Sequence, residues 1–332
     1  MKPLLAITMG DYNGIGPEVT LLCALNPKVQ NICTPLLIGS IDVYEFYAKR
    51  LGYRLNLIEI DTLPPRAKSN SIYVFHIRKF QHPVTKPGIL SNEAGEYAGE
   101  AIEIAASLCL QGFTDGMITA PVSKFALQQA GYNYPGQTEM LAHYCKTKKH
   151  AMMLIAGNFR VGLATIHIPL KKVPSSITKE LLREKLTVIH TSCKKDFGIQ
   201  KPRIAVLSLN PHAGEQGMLG TEENSILIPV IREANKKRYH VEGPFPSDGF
   251  FGTLRHHQYD AIIAMYHDQG LIPLKLSGFN TGVNFTAGLP IVRTSPDHGT
   301  AFDIAGKGAA DPSSMIEAIR LALNIISNRR KK

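Results

Sequence analysis

An α/β fold built on largely parallel sheets is what this sequence predicts, and three observations carry the prediction. Short apolar runs alternate along the chain with amphipathic stretches long enough for helices. Several of those runs stop abruptly at polar residues, as buried parallel strands do when they deliver side chains to a site at their carboxyl ends. The chain has 332 residues, enough for two domains or one large α/β unit.

Leu4 to Met9 reads as a first buried strand, followed by the loop Gly10 to Glu18. Pro17 suits a first helical turn, and Glu18 suits the positive end of a helix. The loop does not match the dinucleotide fingerprint. It reads either as a tight strand-to-helix turn or as backbone that approaches a ligand closely. Thr34–Gly39, Leu55–Ile60 and Ser71–His76 read as strands and Ile41–Leu51 as a helix. Lys68–Asn70 and Lys79–Pro87 read as polar connections. Ser91 is the expected N-cap of a helix from Asn92 to Leu110. Met117-Ile118-Thr119 ends a strand, and Ala120 to Lys124 opens the next helix. Thr138 is expected to cap a helix over Met140–Cys145, beside N–H groups that could hold an anion.

Ala151–Ala156 and Arg160–Ile166 read as a hairpin across Gly157-Asn158, an antiparallel patch in the sheet. A helix should start at Ser176 or Thr178 and reach Phe197, and Arg203–Leu209 is a strand. Gly220–Lys236 contains a helix with Thr221-Glu222-Glu223 in its first turn. Val241–Pro246 leads to Ser247-Asp248, and Ala261–Tyr266 is a strand. Gly282–Thr286 and Leu289–Thr294 are short apolar segments. Ser313–Ile326 is a strongly periodic closing helix.

Composition excludes several classes. Hydrophobic residues make up 44%, but no run approaches the roughly 20 residues of a membrane span. The first residues turn polar too quickly for a signal peptide. The cysteines, Cys23, Cys33, Cys109, Cys145 and Cys193, are scattered, and none forms a Cys-x-x-Cys pair. Reduced thiols and a cytoplasmic setting are therefore expected, rather than disulfides or a thiolate zinc site. Net charge is +10, of which Arg329, Arg330, Lys331 and Lys332 supply four and read as a frayed, solvated tail. The remaining surplus suits an anionic substrate. No nucleic-acid motif accompanies it, so no nucleic-acid partner is expected.

The chemistry concentrates at strand ends. Val161–Ile166 runs into His167, Ile204–Leu209 into Asn210-Pro211-His212, and Ala261–Met265 into His267-Asp268. One such histidine is more often a satisfied rim residue. Three at equivalent places suggest a catalytic divalent metal with open positions. The stretch Ala264–Lys275 carries one of them and ends in a lysine. Lys275, Asn284 and Arg293 follow on successive segments and together suit a phosphate or carboxylate, although isolated Lys or Arg is usually surface charge. Arg293 closes the apolar run Leu289-Pro290-Ile291-Val292 and is less easily read that way. The stretch Asp297 to Gly308 is either a connecting loop or a Gly-rich cradle for an adenosine moiety.

These motifs together carry a resemblance. Pro296 to Ala301 and Ile304 to Gly308 look like the adenosine-side loop of the isocitrate and isopropylmalate dehydrogenase superfamily. Gly14–Glu18, Thr119–Lys124, Leu209–Glu215, Ala264–Gly270 and Arg293–Thr300 resemble, in order and over nearly the whole chain, the 4-hydroxythreonine-4-phosphate dehydrogenase family of pyridoxal phosphate synthesis. The resemblance implies two α/β domains, about 1–135 plus 285–332 on the cofactor side and 136–284 for metal and dimerisation, with the active site in the cleft between them. It implies NAD (or NADP) near His298, Gly299, Thr300, Ala301 and Asp303. It also implies a divalent zinc, magnesium or cobalt ion on His167, His212 and His267. His267 would come from the partner subunit of a homodimer. Substrate would meet Gln137, Thr138, Lys275, Asn284 and Arg293, with Asp248, Asp268 and Lys275 available for proton and orientation work. The implied reaction oxidises 4-phosphooxy-L-threonine at C3 and then decarboxylates it to 3-amino-2-oxopropyl phosphate.

Two positions depart from the family pattern. Gln137 stands where the family has histidine, and Tyr12-Asn13 where it usually has Pro-Ala. Glutamine donates a hydrogen bond but carries no charge. That keeps open the alternative of a paralogous dehydrogenase acting on threonate or erythronate 4-phosphate.

Overall fold

The computed structural model describes residues 2–62, 71–77, 83–278 and 281–331. The expected connection at Lys68–Asn70 and residues 79–82 of that at Lys79–Pro87 lie outside them. In chain order the first elements are β1 (Leu4–Thr8), α1 (Gly16–Leu25), α2 (Pro27–Ile32), β2 (Thr34–Gly39), α3 (Ile41–Arg50), β3 (Leu57–Ile60), β4 (Ile72–His76), α4 (Asn92–Leu110), β5 (Gly116–Thr119), α5 (Lys124–Gln129) and α6 (Gln137–Tyr144). Then come β6 (Ala151–Ala156), β7 (Phe159–Leu163), α7 (Val173–Ser176), α8 (Lys179–Lys195), β8 (Arg203–Leu207), α9 (Ile228–Lys236), β9 (His240–Phe245), α10 (Ser247–Gly252), β10 (Ala261–Ala264), α11 (His267–Gly278), β11 (Val283–Ala287), β12 (Arg293–Pro296) and α12 (Ser313–Arg330).

Two compact units form, Met1–Thr147 with Leu289–Ile326, and Lys148–Gly288 with Ser327–Lys332. In the first unit the strands run β3-β4-β2-β1-β5-β12, every pair parallel. In the second they run β11-β6-β7-β10-β8-β9. There β6 is antiparallel to both β11 and β7, while β7, β10, β8 and β9 are parallel. The antiparallel patch therefore sits at the expected hairpin, extended by β11.

Local chemistry explains where the helices start. Ser91 Oγ accepts from Ala94 N–H, as expected of a cap, and Thr178 Oγ1 accepts from Leu181 N–H, so of the two expected starts it is Thr178, not Ser176, that begins α8. Asn26 caps α2, a helix that its length of six residues hid from periodicity. Thr138 does not cap: α6 begins at Gln137 with Gly136 at the cap, and Thr138 is buried in the first turn. Arg293 opens β12 instead of closing a strand, because Pro290 interrupts the apolar run before it. Arg329 is no solvated tail. It continues α12, and its Nε lies 2.7 Å from Asp196 Oδ1, within the second unit.

Packing in the second unit brings α11 close to the sheet. All four residues of β10, Ala261 to Ala264, are buried, and each buried isoleucine contributes about 1.5–3 kcal/mol. A Cβ on Gly270 would lie 2.6 Å from Val161 Cγ1 and 3.1 Å from Ala264 Cβ. Glycine there lets the first turns of α11 lie against β7 and β10. Among the described residues, no helix is long and apolar enough to cross a membrane. The five cysteines are free thiols, and burial pushes those of Cys33, Cys109 and Cys193 up to about 12.

Candidate active site

In the second unit a buried polar network ties the strand ends together beneath the expected histidines. Thr165 Oγ1 donates to the Met265 carbonyl at 2.7 Å, joining the ends of β7 and β10. Met265 N–H donates to Gln269 Oε1 at 2.6 Å. Gln269 Nε2 donates in turn to the Ser208 carbonyl (2.6 Å) and to Ser247 Oγ (2.8 Å). One buried amide therefore holds β10, the segment after β8 and the start of α10 in register. Sequence reading gave Gln269 no role. Its only signal was a place in the stretch Ala264–Gly270, two residues after His267.

The histidines stand on this frame. His267 is the first residue of α11, so Ala264–Lys275 is a strand-to-helix switch, with Lys275 in the last turn of that helix. His267 Nδ1 shares a 2.7 Å hydrogen bond with Asp268 Oδ1. A carboxylate on one ring nitrogen fixes the imidazole and leaves Nε2 for a ligand. The His167 ring centroid lies 5.7 Å from that of His267. Among the described residues, no three His, Cys, Asp or Glu side chains gather closely enough to hold a metal ion. Within one chain, then, His212 does not join the pair. Two adjoining imidazoles, one of them carboxylate-oriented, fit part of a divalent-metal ligand set that needs completion from elsewhere.

His212 lies in an unusual backbone segment. His212 (φ 52), Ala213 (φ 53), Gly214 (φ 79), Glu215 (φ 40) and Gln216 (φ 56) form a left-handed turn. Each non-glycine residue costs about 1–2 kcal/mol in that conformation. Such strain survives only where the surroundings over-determine it. Here Glu223, buried at the start of a π-helical turn, accepts from Leu209 N–H (2.9 Å), Asn210 N–H (2.8 Å) and Asn210 Nδ2 (2.9 Å). The acidic helix start expected at Thr221-Glu222-Glu223 is thus a carboxylate folded back on the histidine loop.

The remaining candidates of this unit are dispersed. Asp248 is exposed in the first turn of α10, beside the Ser247 that Gln269 holds. Asp268 is exposed apart from its contact with His267. Lys275 is half-buried. Asn284, on β11 opposite Leu154, keeps Oδ1 buried without a hydrogen-bond partner. An unmet buried acceptor is costly unless a ligand satisfies it.

In the first unit Arg293 is the centre. It is 2% exposed. Its Nε (3.1 Å) and Nη2 (2.6 Å) donate to Thr119 Oγ1 at the end of β5. Nη2 also donates to Gln137 Oε1 at 3.0 Å. Burial lowers the guanidinium to about 10, with Glu139 pulling the other way, so the charge persists at neutral pH. Thr119 and Gln137 hold the guanidinium in one orientation through neutral oxygens, and a buried, oriented cation suits an anionic ligand. Arginine has no acceptor to offer, so Gln137 must turn its oxygen inward, and its Nε2 then faces the Ala120 carbonyl at 3.5 Å. A neutral histidine accepting from Arg293 would present the same outward donor.

The stretch 297–308 is held from beneath. Thr300 carbonyl accepts from Ile15 N–H (2.9 Å). The buried Glu18 carboxylate accepts from Gly306 N–H (3.2 Å) and Ala310 N–H (3.3 Å). Arg50 Nε donates to the Gly306 carbonyl (2.6 Å). His298 Nε2 is buried and unpartnered, Gly299, Thr300 and Ala301 are irregular backbone, and the exposed Asp303 lies in the turn 302–308 that follows. The two departures at the early loop have structural work. Tyr12 packs edge-on against Tyr97, and Asn13 accepts from Lys86 N–H (2.7 Å) and donates to Ser91 Oγ (3.3 Å).

The model of the pyridoxal phosphate biosynthetic protein PdxA matches residues 31–322. A 4-hydroxythreonine-4-phosphate dehydrogenase of Bacteroides thetaiotaomicron is 43% identical, covering 100% of this chain and 91% of that protein. A protein of Bradyrhizobium diazoefficiens with the provisional name D-threonate 4-phosphate dehydrogenase is also 43% identical, with 96% and 95% covered. The crystal structure of a 4-hydroxythreonine-4-phosphate dehydrogenase from Klebsiella pneumoniae superposes with a TM-score of 0.87 at 37% identity, covering 98% of this chain and 100% of that one. At the level of fold alone, an isocitrate dehydrogenase from Methylococcus capsulatus reaches a TM-score of 0.50 at 14% identity over 99% of this chain and 87% of its own.

Proposed function

This chain belongs to the family of the pyridoxal phosphate biosynthetic protein PdxA, and from that premise we propose that it acts as a 4-hydroxythreonine-4-phosphate dehydrogenase. The substrate, 4-phosphooxy-L-threonine, loses hydride from C3 to NAD and then CO2, giving 3-amino-2-oxopropyl phosphate. The observation that carries the reading is the buried Arg293, oriented by Thr119 and Gln137 and suited to a phosphate ester. Thr138, Lys275 and Asn284 complete the substrate contacts, and His298 to Asp303 receive the cofactor's adenosine side. His167, His212 and His267 would hold a divalent cation, whose chemistry there would be to polarise the C3 oxygen and lower the cost of its deprotonation. Asp268 orients His267, and Asp248 is available for proton transfer. A cytoplasmic setting accords with the free thiols.

The second reading, a D-threonate or erythronate 4-phosphate dehydrogenase, is favoured by Gln137 and by the Bradyrhizobium relative. NADH formation from each phosphate ester decides between them. Turnover of 4-phosphooxy-threonine is expected, with Gln137→His retaining activity within about tenfold because the donor pattern is kept. Turnover of the sugar-acid phosphates alone would sink the first reading.

The working form is a homodimer whose second copy supplies a metal ligand, His267 in the arrangement that the resemblance implies. Large apolar side chains stand exposed on the segments that follow each histidine in sequence: Leu170 after His167, Met218 after His212 and Leu276 on α11. Met218 and Leu276 are each 84% exposed, and Ile272 lies one helical turn before Leu276. Patches of this kind mark interfaces. Leu276→Glu should therefore yield a folded monomer in sedimentation and lose most activity. A fully active monomer would refute the shared site.

A further inference from the structure

We propose that Glu223 is a positioning residue for His212. The assignment rests on the reading of His212 as a metal ligand, and what it adds is the group that sets where the imidazole stands. Side-chain sterics oppose the conformation of the turn, since four of its five left-handed residues carry side chains. The constraint comes from behind. Glu223 Oε1 receives both backbone N–H groups that lead into the turn, Leu209 and Asn210. Oε2 receives Asn210 Nδ2, which also reaches Glu222 Oε2 at 2.8 Å. Gly214 closes over the same carboxylate. A Cβ there would fall 2.7 Å from Glu223 Oε2 and 2.9 Å from the Gly220 carbonyl. The π-helical turn Glu223–Leu227 keeps this carboxylate at 1% exposure, aimed at the loop instead of at solvent. An ionised carboxylate accepting several N–H groups is a short, strong anchor.

Co2+ titrated into the purified, metal-free full-length protein tests this, followed by calorimetry and by visible absorption, with thermal unfolding recorded without metal. Glu223→Gln keeps the size but turns an NH2 group toward donors. It should bind Co2+ about 10–100-fold more weakly, with an altered visible spectrum, at temperatures where it is fully folded. Gly214→Ala presses on the same carboxylate from the other side and should weaken binding in the same sense, so a misfolded Glu223→Gln leaves the test intact. Wild-type affinity and spectrum in both variants would overturn the positioning role. Wild-type protein that takes up no Co2+ overturns the metal reading, and the proposal with it.

Discussion

Replacing Arg293 by methionine is expected to lower kcat/KM by about 10²–10³-fold while leaving thermal unfolding unchanged or slightly raised. The two effects part because the guanidinium is a functional group held at structural cost. Burial lowers it to about 10, so the folded protein holds a charge it would shed more readily than in water. Replacing a buried ion by an apolar group of similar length is often neutral or stabilising. Thr119 loses two donors but can rotate its own hydroxyl to donate. The substrate loses more, because truncating one side of a buried charge pair costs on the order of 2–5 kcal/mol. Arg293→Lys should recover only part of the loss, since an ammonium cannot serve Thr119, Gln137 and a phosphate with one planar fork. The sign with pH follows: substrate affinity holds below about pH 10 and falls as pH rises through it. Affinity within threefold of wild type in Arg293→Met would show that Arg293 is not the phosphate anchor. A large fall in unfolding temperature would show that its role is structural.

Much of the fold was legible because its elements obey local rules. Ser91 and Thr178 announced α4 and α8 through their caps, and Gly157-Asn158 announced the β6–β7 hairpin. What failed was whatever depended on distant partners. Glu18 looked like a charge suited to a helix terminus, and only tertiary structure takes it to Gly306 and Ala310. Glu223 looked like another helix-start acid, yet its carboxylate serves backbone 13 and 14 residues earlier. The left-handed turn at His212 has no local signature, because four of its residues are types that avoid that region.

The site was legible as residues but not as an arrangement. Three strand-end histidines suggested one cluster, and the chain sets only His167 and His267 side by side. Strand periodicity says where a side chain leaves the sheet. It is silent on which of those side chains meet. Nothing in the sequence marks the exposed Leu170, Met218 and Leu276, since sequence cannot tell a core-facing leucine from an exposed one.

Glu18→Ala carries the second large effect, and it separates cofactor binding from the rest of the site. The substitution leaves the N–H groups of Gly306 and Ala310 buried without an acceptor, at about 1–3 kcal/mol each. Unfolding should come roughly 10 °C earlier, at about 2–4 °C per kcal/mol for a chain of this class. The Arg50 bond to the Gly306 carbonyl remains, so the 297–308 stretch is loosened, not released. NAD affinity should fall by about tenfold or more, because the ligand must now order that stretch itself. Phosphate affinity at Arg293 should stay within threefold, since its contacts with Thr119 and Gln137 do not involve Glu18. Glu18→Gln keeps one acceptor oxygen and should fall between wild type and alanine on both measures. Equal NAD affinity in all three proteins, titrated at a temperature where each is folded, would detach the 297–308 stretch from cofactor binding and leave Glu18 as a purely structural staple.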